Sequence, residues 1–290
     1  MPIAVVYGVL AAMIWGGQPV VSKLGYRATM TADDLTFLRY VVSGTLMLPF
    51  VMKRGIWNAC GLGWRRAGIL MLIAGPVYSL VLIGGLTWAP ASHGALIYPA
   101  LTPIFTALFA QYALAQTERP SRLGMALLVA GVIAIGVENA IHASAGSSVD
   151  VWKGDLLFVA AAILWALYIG LMRKWQTDPY VVMSIVQVSG LVYVPIYLAF
   201  HGLDVFAVPS DDVILQCVYQ GIIVSILSVT LFNLAVRELG ATASMFTALA
   251  PLIGVGLSVW VLGESASVWI GMGTIVIVTG LTLSLKRKQA

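Results

Sequence analysis

Ten stretches of about twenty mainly apolar residues follow one another with little polar sequence between them, roughly 3–23, 33–52, 67–87, 91–114, 121–137, 153–173, 179–200, 212–235, 239–262 and 267–285. A helix needs about 20 such residues to cross the hydrocarbon of a bilayer, whereas a membrane β-barrel shows short alternating segments. Runs such as GMALLVAGVIAIGV, Gly124–Val137, do not alternate. Only 10% of the 290 residues are charged, against roughly 25% in a soluble domain, so most of the surface meets something other than water. The sequence predicts an all-α integral membrane protein of ten transmembrane helices, placed in the cell membrane (the inner membrane in a bacterium). The first run has no basic residue ahead of it and outlasts the apolar core of a signal peptide. It is expected to remain as helix 1.

The basic residues set an orientation. With the N-terminus in the cytoplasm, the inner loops hold Lys53, Arg54, Arg65, Arg66, Arg119, Arg122, Arg173, Lys174, Arg237 and the Lys286–Lys288 run, twelve of the sixteen. Basic excess marks the cytoplasmic face, so both termini are expected inside. The net charge of +4 then reflects topology. Its basic residues occur in pairs on separate loops, which argues against a nucleic-acid partner. Cys60 and Cys217 are expected as free thiols.

The chain also repeats itself. AAMIW at 11–15 returns as AAILW at 161–165, SGTLMLP at 43–49 as SGLVYVP at 189–195, and YPALTP at 98–103 as FTALAP at 246–251. An acid followed by a glycine, Glu118 to Gly124, returns as Glu264 to Gly271. Residues 1–138 and 153–290 thus read as two five-helix repeats joined by an extracytoplasmic linker at 139–152. An odd number of helices reverses the chain's direction, so the second repeat is inverted. Inverted repeats are a frequent plan for secondary transporters, with the substrate site near the midplane where the units meet.

These residues resemble a known family. WGGQPVVSK in helix 1, LTFLRYVVSG in helix 2, the proline-bearing helices 4 and 9, and the acid-to-glycine junctions before helices 5 and 10 are together similar to the drug/metabolite transporter superfamily in its ten-helix EamA form. The abundance of aromatic residues is similar to its aromatic amino-acid exporter branch. The resemblance implies a central cavity, alternating access and export of amino acids or related metabolites, with no cofactor and with a monomer sufficient for transport.

Candidate site residues follow from depth and chemistry. Helix 1 places Trp15, Gly16, Gly17, Gln18 and Pro19 in a row. Pro19 cannot donate to the carbonyl of Trp15, and irregular backbone at membrane depth is tolerated where it is buried or lines a cavity. Trp165 recurs at the matching depth. Pro103 and Pro251 lie in symmetry-related helices 4 and 9, as static kinks or as gating bends. Trp15, Tyr78, Tyr98, Trp165, Tyr168 and Phe246 sit deep enough to wall a substrate cavity, whose polar end Gln18 and Asn233 could meet. Trp57, Trp64, Trp88, Trp152, Trp175 and Trp269 read as interfacial anchors. Arg39 is expected to bond structurally to carbonyls or to Asp33 or Asp34. His93 reads as a lone interfacial histidine, and the spans show no acid pair that would build a proton relay, which leaves facilitated diffusion open.

An integral membrane enzyme acting on a lipid or prenyl substrate is the alternative, but such chemistry needs clustered acids, metal ligands or an activated nucleophile. His93, His142 and His201 are scattered without ligand spacing, and no nucleotide-binding motif is present. The orientation has a direct test. With native cysteines replaced, a cysteine placed within 140–148 should react with an impermeant thiol reagent from outside the cell, and one within 55–63 should not. Labelling of both loops from one side would sink the five-plus-five arrangement.

Overall fold

The computed structural model describes residues 2–113, 121–144, 150–265 and 267–285, with the side chains of 2, 112–113, 138–144, 240–242, 244 and 285 set aside. The described residues form helices and contain no strand. They are α1 (Pro2–Arg27), α2 (Ala32–Arg54), α3 (Trp64–Ala74), α4 (Pro76–Trp88), α5 (Ala91–Ala113), α6 (Arg122–Ser144), α7 (Val151–Trp175), α8 (Pro179–Ser189), α9 (Tyr193–His201), α10 (Ser210–Gln216), α11 (Ser228–Leu239), α12 (Leu249–Leu262) and α13 (Val268–Leu285).

Eight helical segments are long and apolar enough to cross a membrane; Arg122–Val137 and Val268–Ser284 are shorter apolar helices, in the fifth and tenth apolar runs. Large apolar side chains face outward along them, Leu72, Ile133, Phe200, Trp260 and Ile275 among others. Polar side chains such as Gln18, Ser43, Gln187 and Gln220 are buried. That distribution inverts a soluble protein's surface and suits lipid as the solvent.

Several helices are interrupted where their apolar runs give no warning. The third run breaks at Gly75, which stands outside helical geometry (φ −87, ψ −144) between α3 and α4. The cause is Pro76, which disfavours helical backbone in the residue before it and suits the first position of a new helix. A 3₁₀ turn, Gly190–Val192, separates α8 from α9, and a π-helical stretch, Cys217–Leu227, separates α10 from α11. The ninth run opens as a 3₁₀ helix, Gly240–Ala248, and becomes α-helical only at Leu249. Pro251 therefore sits in the first turn of α12, where its missing N–H costs no internal bond. By contrast, α1 runs through Pro19 and α5 through Pro99 and Pro103.

Helix ends are closed by local signals. Thr31 and Asp34 form a reciprocal capping box at the start of α2, with Asp34 N donating to Thr31 Oγ1 at 3.2 Å and Thr31 N donating to Asp34 Oδ2 at 2.7 Å. Gly55, at φ 101, ends that helix in the left-handed conformation that glycine adopts without strain. Both cysteines are free. In the loop after α2, burial pushes the Cys60 thiol above its ordinary range, against the smaller opposing effect of Arg54.

The helices pack in recurring pairs: α1 on α12 and α5 on α7; α1 on α11 and α4 on α7; and α2 on α8, α5 on α12 and α6 on α13. Small residues allow the closest crossings. A Cβ on Gly16 would lie 2.6 Å from the carbonyl oxygen of Ala250, and one on Gly154 would lie 2.5 Å from the carbonyl oxygen of Gly85. Both neighbours are backbone and cannot swing aside. Gly154→Val should therefore push α7 from α4 and destabilise the protein by about 1–3 kcal/mol. Gly68→Ala, where a Cβ meets open space within α3, should stabilise by about 0.5–1 kcal/mol. Thermal melts of both variants in detergent check the pair; equal shifts would contradict the packing argument.

Candidate functional site

Pro76 starts α4 midway along the apolar span Trp64–Trp88 and so fixes the place of the two residues in its first turn, Tyr78 and Ser79. Tyr78 stacks on Trp165 of α7, ring centroids 5.1 Å apart at 28°, and Trp165 meets Tyr168 at 4.8 Å. The Tyr78 hydroxyl donates to the Tyr98 hydroxyl of α5 at 2.9 Å. Ser79 shares a 3.0 Å hydrogen bond with Tyr40 of α2. The Tyr40 ring rests against Gly190, where a Cβ would fall 1.9 Å from a ring carbon, so the turn between α8 and α9 holds that ring in place. Four of the aromatic residues singled out from the sequence, Tyr78, Tyr98, Trp165 and Tyr168, thus form one cluster drawn from α4, α5 and α7.

The remaining candidates lie elsewhere. Trp15 packs on Phe232 of α11 at 5.1 Å and 58°. Gln18 is buried and donates to Ser22 at 3.3 Å. Ser22 also accepts from Gln220 at 2.8 Å, and Gln216 donates to the Val21 carbonyl at 2.7 Å. These amides form a polar seam between α1 and the segment Ser210–Leu227. Phe246 packs on Gly8 of α1, and Asn233 Nδ2 is buried without a hydrogen-bond partner. Near Pro19, the Tyr219 hydroxyl donates to the carbonyl of Ile14 at 2.8 Å, one residue before the carbonyl the proline leaves without its usual donor. Near Pro103, Thr102 donates to the Tyr98 carbonyl at 2.8 Å. Gly16 and Gly17 face Ala250 and the Tyr219 hydroxyl, so both serve close packing.

Arg39 departs from expectation. Asp33 accepts from Tyr193 at 2.8 Å, and Asp34 accepts from Thr31 and Tyr197. Both acids are engaged by rings of α9 or by the helix cap, and no described acid pairs with Arg39. Its guanidinium lies 5.8 Å from the Tyr40 ring centre, with Nε unpartnered and the residue 9% exposed.

One end of the molecule carries a network that the sequence did not reveal. Lys23 donates to the carbonyls of Leu86 and Ala89, Arg27 to that of Leu262. Glu264 accepts from the backbone N–H groups of Ala91 and Ser92 at 2.6 and 3.0 Å, where a carboxylate complements the positive end of α5. His93 is buried and bonds Asp155, in the second turn of α7, at 2.9 Å. A cavity of about 290 Å³ opens between the α1–α2 turn and the end of α9, lined by Thr29, Thr31, Asp34, His201 and Asp204. At the other end, Arg54 pairs with Asp178 at 3.8 Å and Arg66 lies 5.5 Å from the Trp175 ring centre. No described group of acids, histidines and cysteines has the arrangement of a metal site.

Comparison with known proteins identifies the family. A transporter of Archaeoglobus fulgidus, named only as uncharacterized, is 22% identical over 97% of this chain and 96% of its own length. The uncharacterized inner membrane transporter YedA of Escherichia coli is 24% identical over 93% and 88%. YcxC of Bacillus subtilis, also an uncharacterized transporter, is 27% identical over 70% and 68%. A solved crystal structure covers 99% of the chain with a TM-score of 0.63 at 18% identity, a likeness of fold. The profile of the EamA-like transporter family matches residues 2–137 and again 152–286. With nearly its whole length matched, this multi-pass membrane protein belongs to the EamA-like transporter family.

Proposed function

We propose that the protein exports amino acids with aromatic or other apolar side chains, and related small metabolites, by alternating access through a central site. The observation that carries this reading is the Tyr78–Tyr98–Trp165–Tyr168 cluster. It joins rings from both halves of the chain, and two of its members carry hydroxyls in contact. Such a wall offers a large flat contact to an apolar side chain and a polar handle beside it. Trp15, Gln18, Asn233 and Phe246 would form a second wall on α1, α11 and the Gly240–Ala248 segment, with Pro19, Pro103 and Pro251 as the kink or gating positions.

The architecture behind this reading is ten helices in two inverted repeats, 1–138 and 153–290, joined by an extracytoplasmic linker, with both termini cytoplasmic and a monomer sufficient for transport. Its support is the pairing of helices. If α1 corresponds to α7, and the α3–α4 pair to the α10–α11 segment, then α1 on α12 is the image of α7 on α5, and α1 on α11 that of α7 on α4. The ring stacks agree, since Trp15 on Phe232 mirrors Trp165 on Tyr78. The family profile likewise matches twice, once per half. For orientation, Arg54, Asp178, Arg66 and Trp175 gather at one end, the end assigned to the cytoplasm by its basic residues.

The test is flux of a labelled amino-acid panel in liposomes, with and without a pH gradient. Trp165→Ala and Trp15→Ala should each reduce flux about tenfold, the equivalent of one lost aromatic contact, and shift competition among side chains of different size. Each truncation also removes about 3–5 kcal/mol of packing, so melting is measured alongside. Trp57→Ala, at a ring 92% exposed, is the control that should leave flux unchanged. Folded Trp15 and Trp165 variants that carry the whole panel at wild-type rates would refute the site.

A further inference from the structure

An arginine does not lose its proton inside a protein, so Arg39 is a permanent cation wherever it lies. Burying a charge is costly unless an opposite charge and hydrogen bonds compensate. Here the compensation is missing: the residue is 9% exposed, Nε has no partner, and no described acid forms an ion pair with it. The acids nearest in sequence are held by Thr31, Tyr193 and Tyr197. The Tyr40 ring centre stands 5.8 Å from the guanidinium, and the Tyr40 hydroxyl shares a 3.0 Å hydrogen bond with Ser79, the chain neighbour of Tyr78. With the Tyr78 hydroxyl donating to that of Tyr98, the Tyr98 hydroxyl keeps its own proton for another acceptor. Arg39 therefore brings an uncompensated positive charge, and the tyrosines a hydrogen-bond donor, to the edge of the ring cluster.

We propose that Arg39 and the Tyr78–Tyr98 hydroxyl pair form the binding point for the carboxylate of the transported molecule, whose apolar part lies on the Tyr78–Trp165 wall. A guanidinium is suited to that role because its planar fork matches a carboxylate in two parallel hydrogen bonds. The proposal deepens the amino-acid reading and rests on it for the identity of the cargo. Its test is a binding measurement, so the two can fail separately: absence of flux for the amino-acid panel bears on the cargo alone.

The experiment uses the full chain in detergent, with phenylacetate as the carboxylate probe and phenylacetamide, phenethylamine and inorganic phosphate beside it. Phenylacetate should raise the melting temperature of the wild-type protein in a saturable way, and the other three should not. Arg39→Gln should weaken phenylacetate binding by about tenfold or more, as expected for a charge-assisted bond. Arg39→Lys should fall between, since it keeps the charge without the fork. Tyr98→Phe should weaken binding less than Arg39→Gln does. A structural arginine would behave differently in the ligand-free protein. Because the charge is uncompensated, Arg39→Gln without ligand should melt at or above the wild-type temperature. Equal effects of phenylacetamide and phenylacetate, equal binding of phosphate, undiminished binding by Arg39→Gln, or a lower melting temperature for ligand-free Arg39→Gln would each overturn the proposal.

Discussion

In hydrocarbon no water is at hand to satisfy a backbone N–H or carbonyl, so every polar group carried below the membrane surface needs a partner supplied by the protein. The helices meet most of this demand internally, and the points where they cannot are met by long side chains from other helices. Lys23 reaches the carbonyls of Leu86, in the last turn of α4, and of Ala89 just beyond it, and Arg27 the last carbonyl of α12. Glu264 takes the first N–H groups of α5. Cations therefore sit at helix C-termini and an anion at an N-terminus, the signs the helix dipole favours. Two of these contacts, from Arg27 and Glu264, link the first half of the chain to the second.

The same demand explains what could be read from the sequence. Apolar runs and deep aromatic residues are visible because burial in lipid leaves no alternative use for twenty apolar residues in a row. Tyr78, Tyr98, Trp165 and Tyr168 were legible on that ground as deep aromatic residues along with Trp15 and Phe246, but which of the six pack together was not. The helix breaks were not, since Gly75, Gly190–Val192 and the π-helical Cys217–Leu227 lie inside runs whose hydropathy is unbroken. Pro76 was the available signal for the first of them. Arg39 was misread because Asp33 and Asp34 stand within two turns of it, and only the tertiary fold assigns those acids to Tyr193 and Tyr197. Glu264 looked like a mark of the repeat, while its role as a cap depends on a helix start more than 170 residues away in sequence. His93 and Asp155 are separated by 62 positions, so nothing local joined them.

Where polar capacity remains unmet is equally informative. Buried side-chain atoms without a partner include Thr36 Oγ1 and Arg39 Nε on α2, Gln220 Oε1 in the π-helical stretch, and Asn233 Nδ2 on α11. Those segments are neighbours, since α2 packs on the π-helical stretch, which continues directly into α11. Each unmet group costs about 1–3 kcal/mol when buried. A π-helical stretch itself departs from optimal backbone bonding and tends to occur at functional sites. Four of the six described buried atoms without a partner fall along this interior seam, while Thr106 Oγ1 on α5 and Ser284 Oγ on α13 lie outside it. The aromatic cluster borders α2 through the Tyr40–Ser79 bond, so an apolar wall and a polar seam meet at Arg39. A molecule with one charged end and one apolar end would find both of its requirements at that meeting point.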